Sequence, residues 1–318
     1  MRYIRLVLLL ALSAAFTTAS AGVLGGSLPS AQAAVAQLPV ITTFSPGDFP
    51  ESLAVDGQGN LYASLGFIGE VVKVTPGGQQ HPLAHLDVGG AGGLITGLAF
   101  NAAGTLYVAD ATFQASPPPG VFRIGADGTV SRVATLPADS FPNGLAFRDG
   151  DLYVSDSSLG AIWRLSPAGK LTSWLASPLL APKTSIGANG LAFWHGSLYV
   201  SVADSGTIVR VPLGAGGQPG TPVVIAQSSL LRTADGIAFD VHGNLYIAVN
   251  DNRLVQLAPS GALTQLAAKN NGLAYPTMPA FGTTPATRTT LYVTNGALSN
   301  GTPDIVALDA GVSGQPLP

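Results

Sequence analysis

Apolar and polar residues alternate along most of the chain in short runs, cut by pairs rich in Gly, Pro, Asn and Asp. Such alternation argues for half-buried strands, and helical spacing of apolar positions is absent after the first apolar stretch. One stretch serves as a template. Gly144–Phe147 is a short apolar strand (A) and Asp149-Gly150 a tight turn. Asp151–Ser155 is a second strand (B) and Ala161–Leu165 a third (C). Pro167–Gly169 turns the chain into a fourth, Leu171–Leu175 (D). The same order recurs elsewhere. Asp56-Gly57, Ala103-Gly104, His195-Gly196 and His242-Gly243 mark A–B turns. Val71–Val74, Val121–Ile124, Ile208–Val211 and Leu254–Leu257 mark C strands.

The recurrence has a fixed beat. A Leu-Tyr pair opens strand B at Leu61, Leu106, Leu152, Leu198, Leu245 and Leu291, with gaps of 45, 46, 46, 47 and 46 residues. A constant period of this size marks a repeat architecture. Four antiparallel strands repeated six times predict an all-β, six-bladed β-propeller. The sixth repeat ends at its C strand, Asp304–Leu308, whereas Pro39–Phe44 at the other end of the domain reads like a D strand. The N-terminal strand is therefore expected to complete the last blade, which closes the ring and removes open sheet edges. Residues 39–318 form one domain on this reading.

Composition narrows the partners. Charged residues make up 10% of the chain, the net charge is −3, and no polybasic block exists, so nucleic acid and anionic membranes are poor partners. Arg2 and Arg5, the apolar stretch Leu6–Phe16 and Ala19-Ser20-Ala21 read as a signal peptide over residues 1–21. Residues 22–38, rich in Ala, Gly, Ser and Gln, read as a flexible lead-in, and the domain is expected to be secreted or periplasmic, monomeric, and free of the membrane after cleavage. Cysteine is absent, which excludes disulfides, thiolate metal sites and a cysteine nucleophile.

Aligning the repeats puts Glu51, Thr96, Asn143, Asn189, Asp235 and Asn271 in one column ahead of the A strands. In a propeller the A strands line the central channel, so these side chains should converge at one mouth. Two carboxylates in a narrow space repel. A hard dication relieves the repulsion, and Ca²⁺ in particular takes six to eight carboxylate, amide and water oxygens. Glu51, Asn143, Asn189, Asp235 and Asn271 are the candidate ligands. A plainer reading stays open, since Asn143-Gly144, Asn189-Gly190, Asp235-Gly236 and Asn271-Gly272 are also turn dipeptides. Glu51-Ser52 is not a turn pair, which favours the metal.

At these residues the chain resembles the senescence-marker-protein/gluconolactonase (regucalcin-like) propellers, and more distantly the paraoxonases. That resemblance implies a divalent metal held by a Glu opening blade one, an Asn-Gly in a middle blade and an Asp-Gly after it. Glu51-Ser52, Asn189-Gly190 and Asp235-Gly236 match in type and order, Asn143 matches a further Asn near metal and substrate, and Asn271 has no firm counterpart. It also implies that the metal polarises a lactone or ester carbonyl, with Asp235 as ligand and general base and Glu51 as anchor. Phe141 stands where the family often carries an Arg for sugar acids, which points away from polar sugar-acid lactones. Phe141, Asn143 and Thr96 are then the residues set against a small-molecule substrate. Leu106–Asp110 and Leu152–Asp156 also resemble non-catalytic NHL-type propellers, so a module that binds a protein or glycan is the alternative.

Other residues carry weaker signals. His195 and His242 sit in turns, and His81 and His85 flank the first D strand. Lys73, Arg123, Arg164 and Arg210 share one column on strand C, either as a solvated face or as a ring for polyanions. Asp110 and Asp156 are expected to cap loops through backbone N–H groups. Pro117–Pro119 marks an insertion that either lids the mouth or stiffens a connection. No Gly-x-Ser-x-Gly elbow supports serine catalysis.

Overall fold

A computed structural model describes residues 36–90, 92–298 and 301–316. The expected signal peptide and most of the lead-in lie outside them. The described strands form six four-stranded antiparallel sheets arranged as the blades of a propeller. The template blade runs Pro142–Arg148, Asp151–Asp156, Ala161–Leu165 and Leu171–Ala176. The expected strands are thus recovered, with A beginning two residues earlier. Helical structure among the described residues is limited to four 3₁₀ turns of three residues each, and no helix there could cross a membrane.

The sixth blade closes as expected. Val40–Thr43 pairs antiparallel with Asp304–Asp309, with Val40 opposite Val306 and Thr43 opposite Asp304. Alternation explains the burial. In Asp151–Asp156 both faces are covered, one by each neighbouring blade, whereas the outer strand Leu171–Ala176 keeps mainly Trp174 inside.

The Leu-Tyr beat is a packing device. Each of the first five tyrosines reaches the Phe that ends, or nearly ends, the next blade's A strand, and the rings meet edge to face. The pairs are Tyr62–Phe100, Tyr107–Phe147, Tyr153–Phe193, Tyr199–Phe239 and Tyr246–Phe281, with centroids 4.8–5.2 Å apart. Directly across from the first four tyrosines stand Lys73, Arg123, Arg164 and Arg210. Lys73 Nζ lies 5.7 Å from the Tyr62 ring centre, and Arg164 pairs with Asp151. The basic column therefore flanks the tyrosines on the blade surfaces and does not line the channel.

Candidate metal centre

All six A–B pairings slip register at the same place. The slips fall between Pro50 and Ser52, Ile95 and Leu98, Pro142 and Leu145, Ala188 and Leu191, Ala234 and Ile237, and Pro276 and Pro279. A bulge re-aims the residue inside it. Those residues are Glu51, Thr96, Asn143, Asn189, Asp235 and, in blade six, Thr277. All but Thr96 line one small cavity on the axis. The dipeptides Asn143-Gly144, Asn189-Gly190 and Asp235-Gly236 are accordingly parts of strands and not turns. Their glycines answer to crowding: a Cβ on Gly144 would stand 2.5 Å from the Asn189 carbonyl oxygen, and one on Gly190 2.5 Å from that of Asp235. Only a residue without a side chain lets neighbouring A strands approach so closely around the axis.

Hydroxyls fasten this ring. Ser64 Oγ donates to the Thr96 carbonyl at 2.8 Å and Ser201 Oγ to the Asp235 carbonyl at 2.6 Å, while Ser155 Oγ does the same for Asn189. Each serine lies three residues after a Leu of the Leu-Tyr beat and clamps the following blade's column residue. Their roles went unread in the sequence, although Leu-Tyr-x-Ser at Leu61, Leu152 and Leu198 was a visible signal.

Asn271 is not part of the cluster. Its Oδ1 accepts from the Ala268 N–H at 2.8 Å, and its Nδ2 donates to the Ala36 carbonyl at 3.1 Å. It ends a 3₁₀ turn, with Gly272 left-handed behind it at φ 97°, and ties down the N-terminal segment. Spacing carried the warning. The other five column residues precede the Leu of Leu-Tyr by 9 or 10 positions, whereas Asn271 precedes Leu291 by 20. Thr277 takes the place, and a longer A–B loop after Phe281 supplies the extra residues. Thr96 is in the column, but its hydroxyl is spent on the Pro142 carbonyl at 2.9 Å, as that of Thr277 is on Pro50 at 2.8 Å. Neither offers a hydroxyl proton to a substrate.

Four donors remain: Glu51, Asn143, Asn189 and Asp235, between 4% and 8% exposed. Burial pushes the Glu51 carboxyl well above its usual range, and the charge of Asp235 pushes it further. Asp235 is also raised, chiefly by burial, against the pull of the Asn250 and Asn189 amides and the Gly236 N–H. Asn250 Nδ2 holds Asp235 Oδ2 at 2.8 Å. Asn143 Nδ2 donates to Ser157 Oγ at 3.3 Å, which leaves its carbonyl oxygen available. Asn189 Oδ1 is buried with no hydrogen-bond partner among the described residues. An orphaned buried oxygen beside two mutually repelling carboxylates is what a hard cation satisfies. The cavity holds about 20 Å³ of free space, room for a single ion or water. Among the described residues no three His, Cys, Asp or Glu side chains cluster, so the set is oxygen-only and half amide. His81 and His85 lie on the exposed outer strand of blade one.

Above the ring lies an apolar layer: Phe49, Phe67, Leu94, Phe113, Phe141 and Tyr275 are its main members. Phe141, expected against substrate, packs edge to face on Phe113 at 5.0 Å. Phe113 comes from the proline-rich insertion of blade two, so that insertion reaches the mouth. Of these six only Phe141 was marked by the sequence, and Tyr275 is the one that carries a polar atom. Burial first, then the charges of Asp235 and Glu51, push its phenol far up.

No family model and no curated protein sequence matches the chain. Solved structures do match in fold. One is the calcium-binding protein regucalcin from Agrobacterium tumefaciens, at 18% identity, covering 88% of this chain and 98% of that one with TM-score 0.67. Another is a gluconolactonase from Xanthomonas campestris, at 18% identity, 87% and 89% coverage and TM-score 0.60. A third is virginiamycin B lyase from Staphylococcus aureus, at 14% identity, 86% coverage of both chains and TM-score 0.60. The resemblance read from the sequence thus falls among these structural neighbours. At such identities the likeness defines the six-bladed propeller fold, and a fold shared by a lactonase and a lyase does not by itself choose a reaction.

Proposed function

We propose that the protein is a secreted, metal-dependent hydrolase of lactones or related esters. The observation that carries this reading is the unpartnered Asn189 Oδ1 set among Glu51, Asn143 and Asp235 on the channel axis. Glu51, Asn143, Asn189 and Asp235 would hold a divalent cation, with Ca²⁺ the best match to an all-oxygen set, and such an ion would polarise a carbonyl and steady its developing negative charge. The neighbours described as a gluconolactonase and as a calcium-binding regucalcin support the same class.

The chain's own residues then have distinct tasks. Asn250 holds Asp235 by its Oδ2, and Asp235 is the carboxylate that would take a proton from an attacking water. Glu51 anchors the second charge. Asn143 and Asn189 complete the shell without adding charge. The apolar layer keeps bulk water from the centre. The substrate is a small molecule and the protein works as a monomer.

Metal analysis of the dialysed protein, paired with a lactone and ester panel, tests this. One divalent ion per chain in wild type, lost in Glu51→Ala together with hydrolysis, is expected. Asp235→Asn should lower kcat by about 10²–10⁴. Metal retention with an undiminished rate in Asp235→Asn would end its assignment as base. A second reading is favoured by the tightly covered mouth: a non-catalytic propeller of the NHL type, which predicts no metal-dependent turnover on any panel member and binding of a protein or glycan.

A further inference from the structure

Among the described residues seven non-glycine residues have left-handed backbones, and two are large aromatics: Phe113 at φ 52° and Tyr275 at φ 56°. A bulky side chain rarely tolerates this region, and such strain collects at functional sites. Both belong to the layer over the metal centre. The Tyr275 conformation is enforced from outside. Its N–H donates to Asn252 Oδ1 at 3.0 Å, and its carbonyl accepts the Gly296 N–H at 2.9 Å.

The layer is placed by the repeat. Phe49, Leu94, Phe141 and Tyr275 each stand two residues before a column residue, so four blades set an apolar body directly ahead of the ring. Phe49 stacks on Phe67 at 4.9 Å and lies 6.0 Å from Tyr275. The Tyr275 hydroxyl is the one polar side-chain atom that this cluster carries. It makes no hydrogen bond to the described residues, and Tyr275 stands two positions before Thr277, which lines the axial cavity with Glu51 and Asp235. The axial cavity beneath, with its 20 Å³, cannot take a substrate. A reacting carbonyl must therefore reach the ring from the mouth, against these aromatic faces and past this hydroxyl.

We propose that the substrate is a lactone or ester bearing a hydrocarbon or aryl substituent, selected by the aromatic faces of this layer, and that Tyr275 is a further catalytic contact, its O–H donating to the ester oxygen that leaves. This rests on the hydrolase reading above. A polyhydroxylated lactone would press its hydroxyls unpaired against phenyl rings, which is costly. In the reaction the water oxygen bonds to the acyl carbon and the acyl C–O bond breaks. The leaving oxygen takes one water proton, and the carboxylate forms with the other proton passing to solvent. Tyr275 keeps its own proton and holds the leaving oxygen in line.

The test uses the Ca²⁺-loaded full protein, wild type and Tyr275→Phe, with γ-butyrolactone, its alkyl-substituted homologues and glucono-δ-lactone. Wild-type kcat/KM should rise by about fourfold per buried methylene along the alkyl series and be lowest for the polyol. Tyr275→Phe should lower kcat by about tenfold or more with KM little changed, as for a lost hydrogen bond made while the bond breaks. Faster turnover of the polyol, or an unaltered kcat in Tyr275→Phe, would overturn the proposal and leave the hydrolase reading intact. Calorimetry with the alkyl hydroxy acids and gluconate separates the other failure. If nothing is turned over yet the alkyl acids bind at least tenfold tighter than gluconate and Tyr275→Phe weakens them, the hydrolase reading fails and the apolar ligand class stands. If nothing is turned over and neither acid is preferred, both fall.

Discussion

Asp110 and Asp156 end equivalent Leu-Tyr-Val strands, yet their surroundings differ sharply. Asp156 Oδ1 accepts from the N–H groups of Phe141, Ser158 and Leu159 at 3.0–3.2 Å, and Oδ2 from Trp163 Nε1 at 3.0 Å. It caps its loop, as its position predicts. Both Asp110 oxygens are buried with no partner among the described residues. After Asp156 a short turn brings N–H groups back onto the carboxylate; after Asp110 the chain enters the insertion, and Pro117–Pro119 have no N–H to give. Burial pushes Asp110 up to about 7, against the pull of Arg132 and with the push of Asp87. In the unfolded chain the carboxyl titrates near 4. A raised folded value means that its contribution to stability is fully present below pH ~4 and lost as pH rises to about 7. Asp110→Asn removes the charge and keeps the shape. At fixed Ca²⁺, thermal melts should find the variant close to wild type at about pH 4 and several degrees more stable at about pH 8. Equal melting at both values would show the carboxylate to be satisfied. The same comparison marks what the sequence made legible. Glu51, Asn143, Asn189 and Asp235 could be found because each sits at a fixed offset from a repeated pair. Tyr275 stayed hidden because it holds its fixed offset from Thr277, whereas the Asn-Gly pattern drew the sixth column position to Asn271.

At the level of the strand and its partner, the repeat translates into five edge-to-face aromatic pairs between successive blades. Alternation and turn residues revealed the strands, whereas the bulge that aims the column residues stayed hidden, since Asn-Gly suits a turn and a crowded strand alike. The backbone approach that demands Gly144 and Gly190 comes from an adjacent blade, about 46 residues away in the chain. Stability should follow the depth of each pair. Tyr153 is 2% exposed and touches both Trp174, at 5.1 Å, and Phe193, at 4.9 Å. Tyr107 packs on Phe147 but is only half-buried. Tyr153→Ala should therefore cost about 3–5 kcal/mol in urea unfolding, and Tyr107→Ala distinctly less. The reverse order would mean that the pairs do not set the blade-to-blade energy.

Closure makes the ring one molecule, and it couples the closing segment to the candidate metal centre. The closing segment is held from several sides. Leu38 N–H donates to the Asn271 carbonyl at 2.9 Å, Phe44 N–H to that of Pro303 at 2.7 Å, and Ala307 N–H to that of Pro39 at 2.9 Å. Gln80 Nε2 of blade one reaches the Thr43 carbonyl at 2.7 Å, so the same strand joins blade six to blade one. Phe44 packs with Leu53 and Leu65 of blade one and Ile305 of blade six. Glu51 opens blade one and Asp235 opens blade five. Blade six stands between them, and Thr277 Oγ1 grips the Pro50 carbonyl beside Glu51. A chain beginning at Ser45 would leave the edge of Asp304–Asp309 unpaired, an open template for intermolecular pairing. It should melt with lower cooperativity, aggregate at concentrations where the full chain does not, and lose divalent-ion affinity although every proposed ligand is present. Supplying a peptide spanning Pro39–Phe44 in excess should restore part of the ion affinity, because binding to the closed ring alone draws the equilibrium toward it. Calorimetric titration of the truncated protein with Ca²⁺, with and without the peptide, measures this directly. Full affinity without the peptide would mean that the ligand ring holds its shape without closure.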